Sequence, residues 1–156
     1  MANNHNTNNN NVNVYVGREN YACEWMRNHK QQGKWVGMTP QGYLSARSKD
    51  GEALLVPDPE RFDFIKSMLK ALVSETCTIY DVKRAFDAVY TTPQYEHVGG
   101  RKIQNVKGLI HLLCKPVYAG LVADFDDPTV LRRGRHEAMI TEYEYWKLLN
   151  LLGREQ

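Results

Sequence analysis

The stretch "GRKIQNVKGLIHLLCKPVYAG", residues 100 to 120, gathers side chains of one chemical kind. Arg101, Lys102, Lys107 and Lys115 are cationic, Gln104 and Asn105 carry amides, His111 adds an imidazole, and no acid stands among them. Cations neutralise phosphates and side-chain amides pair with base edges, so this set suits double-stranded DNA. Further cations extend it: Arg27 and Lys30, Lys34 in "GKWVG", and Arg132, Arg133 and Arg135 in "LRRGR". Arginines in a loop or wing can follow a backbone or enter a minor groove. The competing reading of each cluster is a solvated face, which every amphipathic helix presents.

Other chemistry finds little support. Ser45, Ser48, Ser67 and Ser74 have no motif that sets a base beside them. Asp126 and Asp127 adjoin Pro128 as loop acids do, and "VGG" lacks the phosphate-loop pattern. Cys23, Cys77 and Cys114 are scattered and odd in number, with no C-x-x-C or H-x-x-x-H spacing. That argues against a disulfide framework and a zinc site. Autonomous catalysis, a cofactor and a small-molecule substrate are therefore not expected.

The chain has 156 residues, 42% of them hydrophobic and 24% charged, which suits one globular domain. A net charge of +2 is modest, but its distribution is uneven. Arg18, Arg27, Lys30, Lys34, Arg47 and Lys49 dominate the first quarter, whereas acids concentrate in "DPERFD", "DFDD" and "TEYE". No apolar run has membrane-spanning length and no basic-then-apolar leader opens the chain, so a cytoplasmic location is the expectation.

Several elements must position those cations. Residues 1–17 are asparagine-rich and nearly free of apolar groups, as in a disordered tail. "RENYACEWMRNHKQQG" suits a helix capped by Asn20 and ended by Gly33. Trp35 reads as an aromatic anchor for the connector. "GYLSAR" and "EALLVP" flank "SKDG", a hairpin signal. Asp58 and Pro59 open a helix, "PERFDFIKSMLKALVSE", with Phe62, Ile65, Met68, Leu69 and Leu72 on its inner stripe. Thr78 and Asp81 cap the next, with Ile79, Val82, Phe86 and Val89 inward. "TTPQYEHVGG" is a loop. The cationic helix spans about 103–114, with Val106, Leu109, Ile110 and Leu113 facing inward and Gln104, Lys107, Gly108, His111 and Lys115 outward. "VYAGLVAD" reads as a strand and "DDPTVLRRGRHEAMI" as a turn or wing leading to another. Thr141 caps a closing helix that buries Trp146, Leu149 and Leu152. The fold class is mainly α with a small β component: a helix-turn-helix or winged-helix-like domain with a β-hairpin.

In their order, "GKWVGMTPQGY", "LLVPDPERFDFIKSML", "TIYDVKRAF", "LLCKPVYAG" and "RHEAMITEYEYWKLL" resemble the recombinase domain of large serine recombinases, across residues 18 to 152. The resemblance implies a sequence-specific module that binds attachment-site duplex DNA during integration or excision of a mobile element. It makes residues 18–33 the end of a connector helix, with Arg27 and Lys30 on the DNA backbone, and residues 18–156 the binding domain. The helix carrying Gln104, Asn105, Lys107 and His111 becomes the groove reader, and other recombinase subunits become candidate partners. Lys115 stands where the family usually has asparagine, and Ala138 replaces a frequent proline. The family's nucleophilic serine, held in a separate N-terminal domain, has no counterpart, since "VYVGREN" contains no serine. An excised domain or a truncated gene is the expectation. The alternative is a non-catalytic interaction or regulatory module for a recombinase or accessory factor, docking through the first and last helices, of which the acidic last is the better candidate.

Overall fold

The computed structural model describes residues 21–90 and 105–153. The expected tail at 1–17, the Asn20 cap, the loop at 91–100, and Arg101, Lys102 and Gln104 lie outside the described residues.

Residues 21–31 form helix α1, which Gly33 ends at φ +76°. Lys34 to Gln41 then run without regular structure to a hairpin of β1 (Tyr43–Arg47) and β2 (Ala53–Pro57). Tyr43 pairs with Pro57 and Arg47 with Ala53. The "SKDG" turn closes it: Gly51 takes φ +80°, and its N–H donates to the Ser48 carbonyl. An L-residue with a Cβ would be strained there, so Asp50-Gly51 suits the turn.

Helix α2 (Phe62–Val73) begins later than Pro59, because buried Asp58 first organises a turn. The Asp58 carboxylate accepts from the Glu60 N–H at 2.9 Å, and its carbonyl accepts from Phe62 N–H. The far end closes with Glu75 N–H on the Leu72 carbonyl and Thr76 N–H on the Ala71 carbonyl. That is the bonding of a Schellman cap, with Glu75 at φ +57° where glycine is usual. Helix α3 (Ile79–Tyr90) follows after five residues, opened by reciprocal bonds: Thr78 N–H to Asp81 and Asp81 N–H to the Thr78 hydroxyl.

Helix α4 (Val106–Leu113) is stopped before Pro116. Pro116–Ala119 is a 3₁₀ turn, not the start of a strand; Gly120 ends it at φ +73°. The strand is confined to β3 (Leu121–Ala123), which pairs antiparallel with β4 (Leu131–Arg133) as the expected wing. Helix α5 (Glu142–Leu152) closes the domain behind a full capping box of Thr141 and Glu144.

The inner stripes meet in one core, where Ile65, Leu69, Leu109, Leu113, Tyr118 and Leu148 are fully buried. Burial of such side chains stabilises by about 1.5–3 kcal/mol each. Helix α3 packs on α4, α2 on α5, and α5 on the 3₁₀ turn. The class is thus mainly α with two small hairpins. In α5 the buried face is Tyr145, Leu148 and Leu152; Trp146 is 52% exposed and Leu149 half-buried, correcting the expected stripe.

Three tyrosine hydroxyls tie distant segments together. Tyr43 donates to the Glu137 carbonyl at 2.6 Å, Tyr118 to that of Gln41 at 2.9 Å, and Tyr145 to that of Cys114 at 3.0 Å. Burial raises the Tyr43 and Tyr145 hydroxyls above their usual ionisation range, so both remain donors. No helix among the described residues is long and apolar enough to cross a membrane.

Candidate nucleic-acid interface

Helix α4 presents the face expected of it. Leu109, Ile110, Leu112 and Leu113 are buried, while Lys107, Gly108 and His111 are exposed and Lys115 follows just past the helix end, also exposed. Spacing of four puts Lys107 and His111 on one side, whereas Lys115, expected on the same helix, stands beyond its Cys114 cap in extended backbone. Asn105 has a first duty within the protein: it is the N-cap of α4, and its Oδ1 accepts from the Gly108 N–H at 2.8 Å. Its amide nitrogen, on an exposed residue, remains a donor for another group.

The other expected cations divide into two sets. Arg27 meets Asp126 at 2.9 and 3.0 Å and lies 5.3 Å from the Phe125 ring centre, so its charge is spent joining α1 to the β3–β4 loop. Hydrogen bonding to Asp126 raises the Arg27 pKa further. Lys34 contacts Glu52 at 2.6 Å, and Arg135 reaches the same carboxylate at 3.3 Å. The Lys34 bond holds the Glu52 carboxyl below its ordinary range. Arg135 also donates to the Gln32 carbonyl at 2.9 Å. Arg132 is bound to Asp124 at 3.0 Å. The Asp124 carboxylate is lowered first by the Asp127 N–H and then by Arg132. Among the described residues, no ion pair engages Lys30, Lys107, Lys115 or Arg133.

His136 supports this framework from within. Its Nε2–H donates to the Val117 carbonyl at 2.7 Å, its ring stands edge-on to Tyr43 and Trp35, and Nδ1 is buried without a partner. Burial lowers the His136 pKa, opposed in part by the Val117 bond. Gly134 makes room for it, since a Cβ there would come within 2.7 Å of the imidazole. Trp35 is indeed an anchor: it packs on the core and donates from Nε1 to the Met38 carbonyl at 3.0 Å.

Two concavities flank β3. A groove of ≈ 140 Å³ lies between α1, Trp35 and the end of α4, with Lys30 and Lys115 in its lining. On the other side a cleft of ≈ 800 Å³ takes Lys66, Lys70 and Arg133 together with Glu142. Neither was legible in the sequence, because Lys30 and Lys115 belong to elements far apart in the chain. The partner acids Asp124, Asp126 and Glu52 were likewise missed as partners of specific cations. Among the described residues, no cluster of three or more histidine, cysteine, aspartate or glutamate side chains could hold a metal ion.

No family model matches the sequence, and no curated protein matches it. Solved structures do. One is an LSR–DNA complex, with TM-score 0.50 and 17% identity over 78% of this chain and 34% of that chain. Another comes from work on the sequence requirements of the Listeria innocua prophage attP site, with TM-score 0.53 and 18% identity over 80% of this chain and 47% of that chain. The chain shares their fold. It spans between a third and a half of their length.

Proposed function

We propose that the chain is a DNA-binding module of a large serine recombinase, reading attachment-site duplex for integration or excision of a mobile element. The observation that carries this is the outward side of α4 and its end: Lys107, His111 and Lys115 are exposed, and among the described residues no ion pair engages either lysine. The shared fold supports it, since one of the similar structures is an LSR–DNA complex. In this reading α4 enters a major groove by its N-terminal end, where Gln104, the free amide nitrogen of Asn105, and Arg101 read base edges. Lys102, Lys107, Lys115, Lys30 and Arg133 neutralise phosphates. Arg27, Lys34, Arg132 and Arg135 brace α1 and the wing, and meet phosphate only by exchanging a carboxylate for it. The catalytic step belongs to another domain, and this module works in the cytoplasm without a cofactor.

The deciding experiment is selection from a randomised duplex pool, followed by affinity measurements across a salt series. A preferred sequence and a slope of log affinity against log salt matching several phosphate contacts are expected. A flat slope, or no enrichment, would overturn the reading.

A second reading draws on α5. Tyr143 is 79% and Trp146 52% exposed there, beside Glu142, and such aromatics favour a protein partner, another recombinase subunit or an accessory factor. Apolar docking of that kind is insensitive to salt, so the same series separates the two.

A further inference from the structure

We propose that the groove between α1 and the end of α4 seats one deoxyribose–phosphate unit of the DNA backbone, its phosphate bridged by Lys30 and Lys115. This rests on the DNA-binding reading and assigns a site within it.

The groove measures ≈ 140 Å³, well under the roughly 300–1,000 Å³ that holds a drug-sized ligand, so a compact group is the fitting occupant. Its floor is apolar, formed by Trp35, Val36, Val117 and Val122 among others, with Val117 and Val122 buried. The charged residues of the lining are Lys30 and Lys115, and no carboxylate joins them. This contrasts with nearby Arg27, Lys34 and Arg135, each of which has an acid. Both cationic residues line the one slot and no acid is among its lining residues, so an anion seated there would meet two positive charges and no negative one.

The shape of the pair points to a phosphodiester. Lysine stems lie along apolar surface while their ammonium groups reach outward, so the floor directs both charges to the rim. A sugar ring then meets the apolar floor and its phosphate meets the rim. Lys115 is set firmly for this: Pro116 follows it, its backbone is extended at φ −71° and ψ 135°, and the 3₁₀ turn begins directly afterwards. Trp35 is equally fixed by its bond to the Met38 carbonyl. Lys115 is exposed directly beyond the end of α4, whose own Lys107 and His111 are exposed, so a strand followed along α4 can reach the groove at that end. One bridged phosphate would set the angle between α1 and α4 on the duplex, fixing register and not sequence.

The test uses the full chain and the duplex enriched from the random pool. Each phosphate is replaced in turn by a neutral methylphosphonate, and affinity is measured for the wild type, Lys30→Gln and Lys115→Gln. Both substitutions leave the packing of the groove floor intact, which circular dichroism checks. One position should weaken wild-type binding by about tenfold, the scale of a charge-assisted contact. In each variant the same replacement should then cost clearly less than in the wild type, because one of the two lysine contacts is already lost. If the wild type binds but no single phosphate couples to both lysines, the seat is wrong while the DNA reading stands. If the wild type binds no duplex, both fall. Should Lys30→Gln and Lys115→Gln weaken binding of an acidic peptide and leave duplex binding untouched, the groove belongs to a protein partner and the proposal is overturned.

Discussion

Arg27 and Asp126, 99 residues apart in sequence, are joined by two hydrogen bonds of 2.9 and 3.0 Å. Arg135 N–H to the Gly33 carbonyl and the Arg135 guanidinium to the Gln32 carbonyl make two more links between α1 and the wing, both at 2.9 Å. Arg27→Ala and Asp126→Ala should each speed hydrogen exchange of the α1 amides while leaving α2 to α5 protected. The double variant should exchange no faster than either single one, as a shared contact requires. Additive acceleration would show that the two side chains act separately.

Asn105 offers a separation of structure from recognition. Asn105→Ala removes the cap of α4 and should cost about 1 kcal/mol in chemical denaturation. Asn105→Asp keeps an oxygen for the Gly108 N–H and should recover that stability. It lacks the amide nitrogen and adds a negative charge, so its DNA affinity should stay low. Full recovery of binding by the aspartate would remove Asn105 from the interface.

Glu75 and Gly33 predict opposite signs for changes at left-handed positions. Glu75 occupies φ +57° at the end of α2, where an L-residue costs about 1–2 kcal/mol, so Glu75→Gly should raise stability. Glycine's greater freedom in the unfolded chain offsets part of that gain. Gly33 sits at φ +76°, and a Cβ there would come within 2.7 Å of the Arg133 carbonyl. Gly33→Ala should destabilise by on the order of 1–3 kcal/mol, since backbone must move to relieve the clash. Thermal melts of the two variants check both signs.

The pH response should show two windows. Folding lowers the His136 pKa, so as pH falls through the ordinary histidine value of 6.5 the unfolded chain takes a proton first. Stability then declines on the acid side of that value until His136 protonates in the fold as well. Folding also lowers the Glu52, Asp81 and Asp124 carboxyls. Their contribution is present above the unfolded carboxylate value and fades only as pH falls through the lower folded one. Melts from pH 7.5 to 3 should therefore weaken first near neutrality and again in strong acid, and His136→Gln should abolish the first decline alone. A first decline that survives this substitution would assign it to another group.

Local signals were the legible ones. Asp50-Gly51, the Thr78–Asp81 exchange and the Thr141–Glu144 box each act within a few residues, so the sequence displays both partners side by side. The outward face of α4 was legible for the same reason, since spacing of three and four orders it. Trp146 was misplaced because Tyr145 and Trp146 are adjacent aromatics, and the stripe can include either until packing chooses. Val117–Ala119 was misread as extended because its apolar run is consistent with a strand or a buried turn. For the candidate site, residue type identified the cations but not their state. Whether an arginine is available or braced depends on acids brought near by the fold, as Asp126 is to Arg27 and Glu52 to Lys34 and Arg135.

The tyrosine ties also order events during synthesis. Tyr43 finds its acceptor at Glu137, and Gly42 lies against Met139, so the first hairpin, which already meets Phe62 and Ile65 of α2, completes its contacts only once residues 137–139 are synthesised. Until then β1 and β2 are a two-stranded ribbon supported by α2, a marginal arrangement in water. A nascent chain halted before β4 would lack α5 and leave uncovered the side of α2 that packs on it, a surface suited to capture by chaperones.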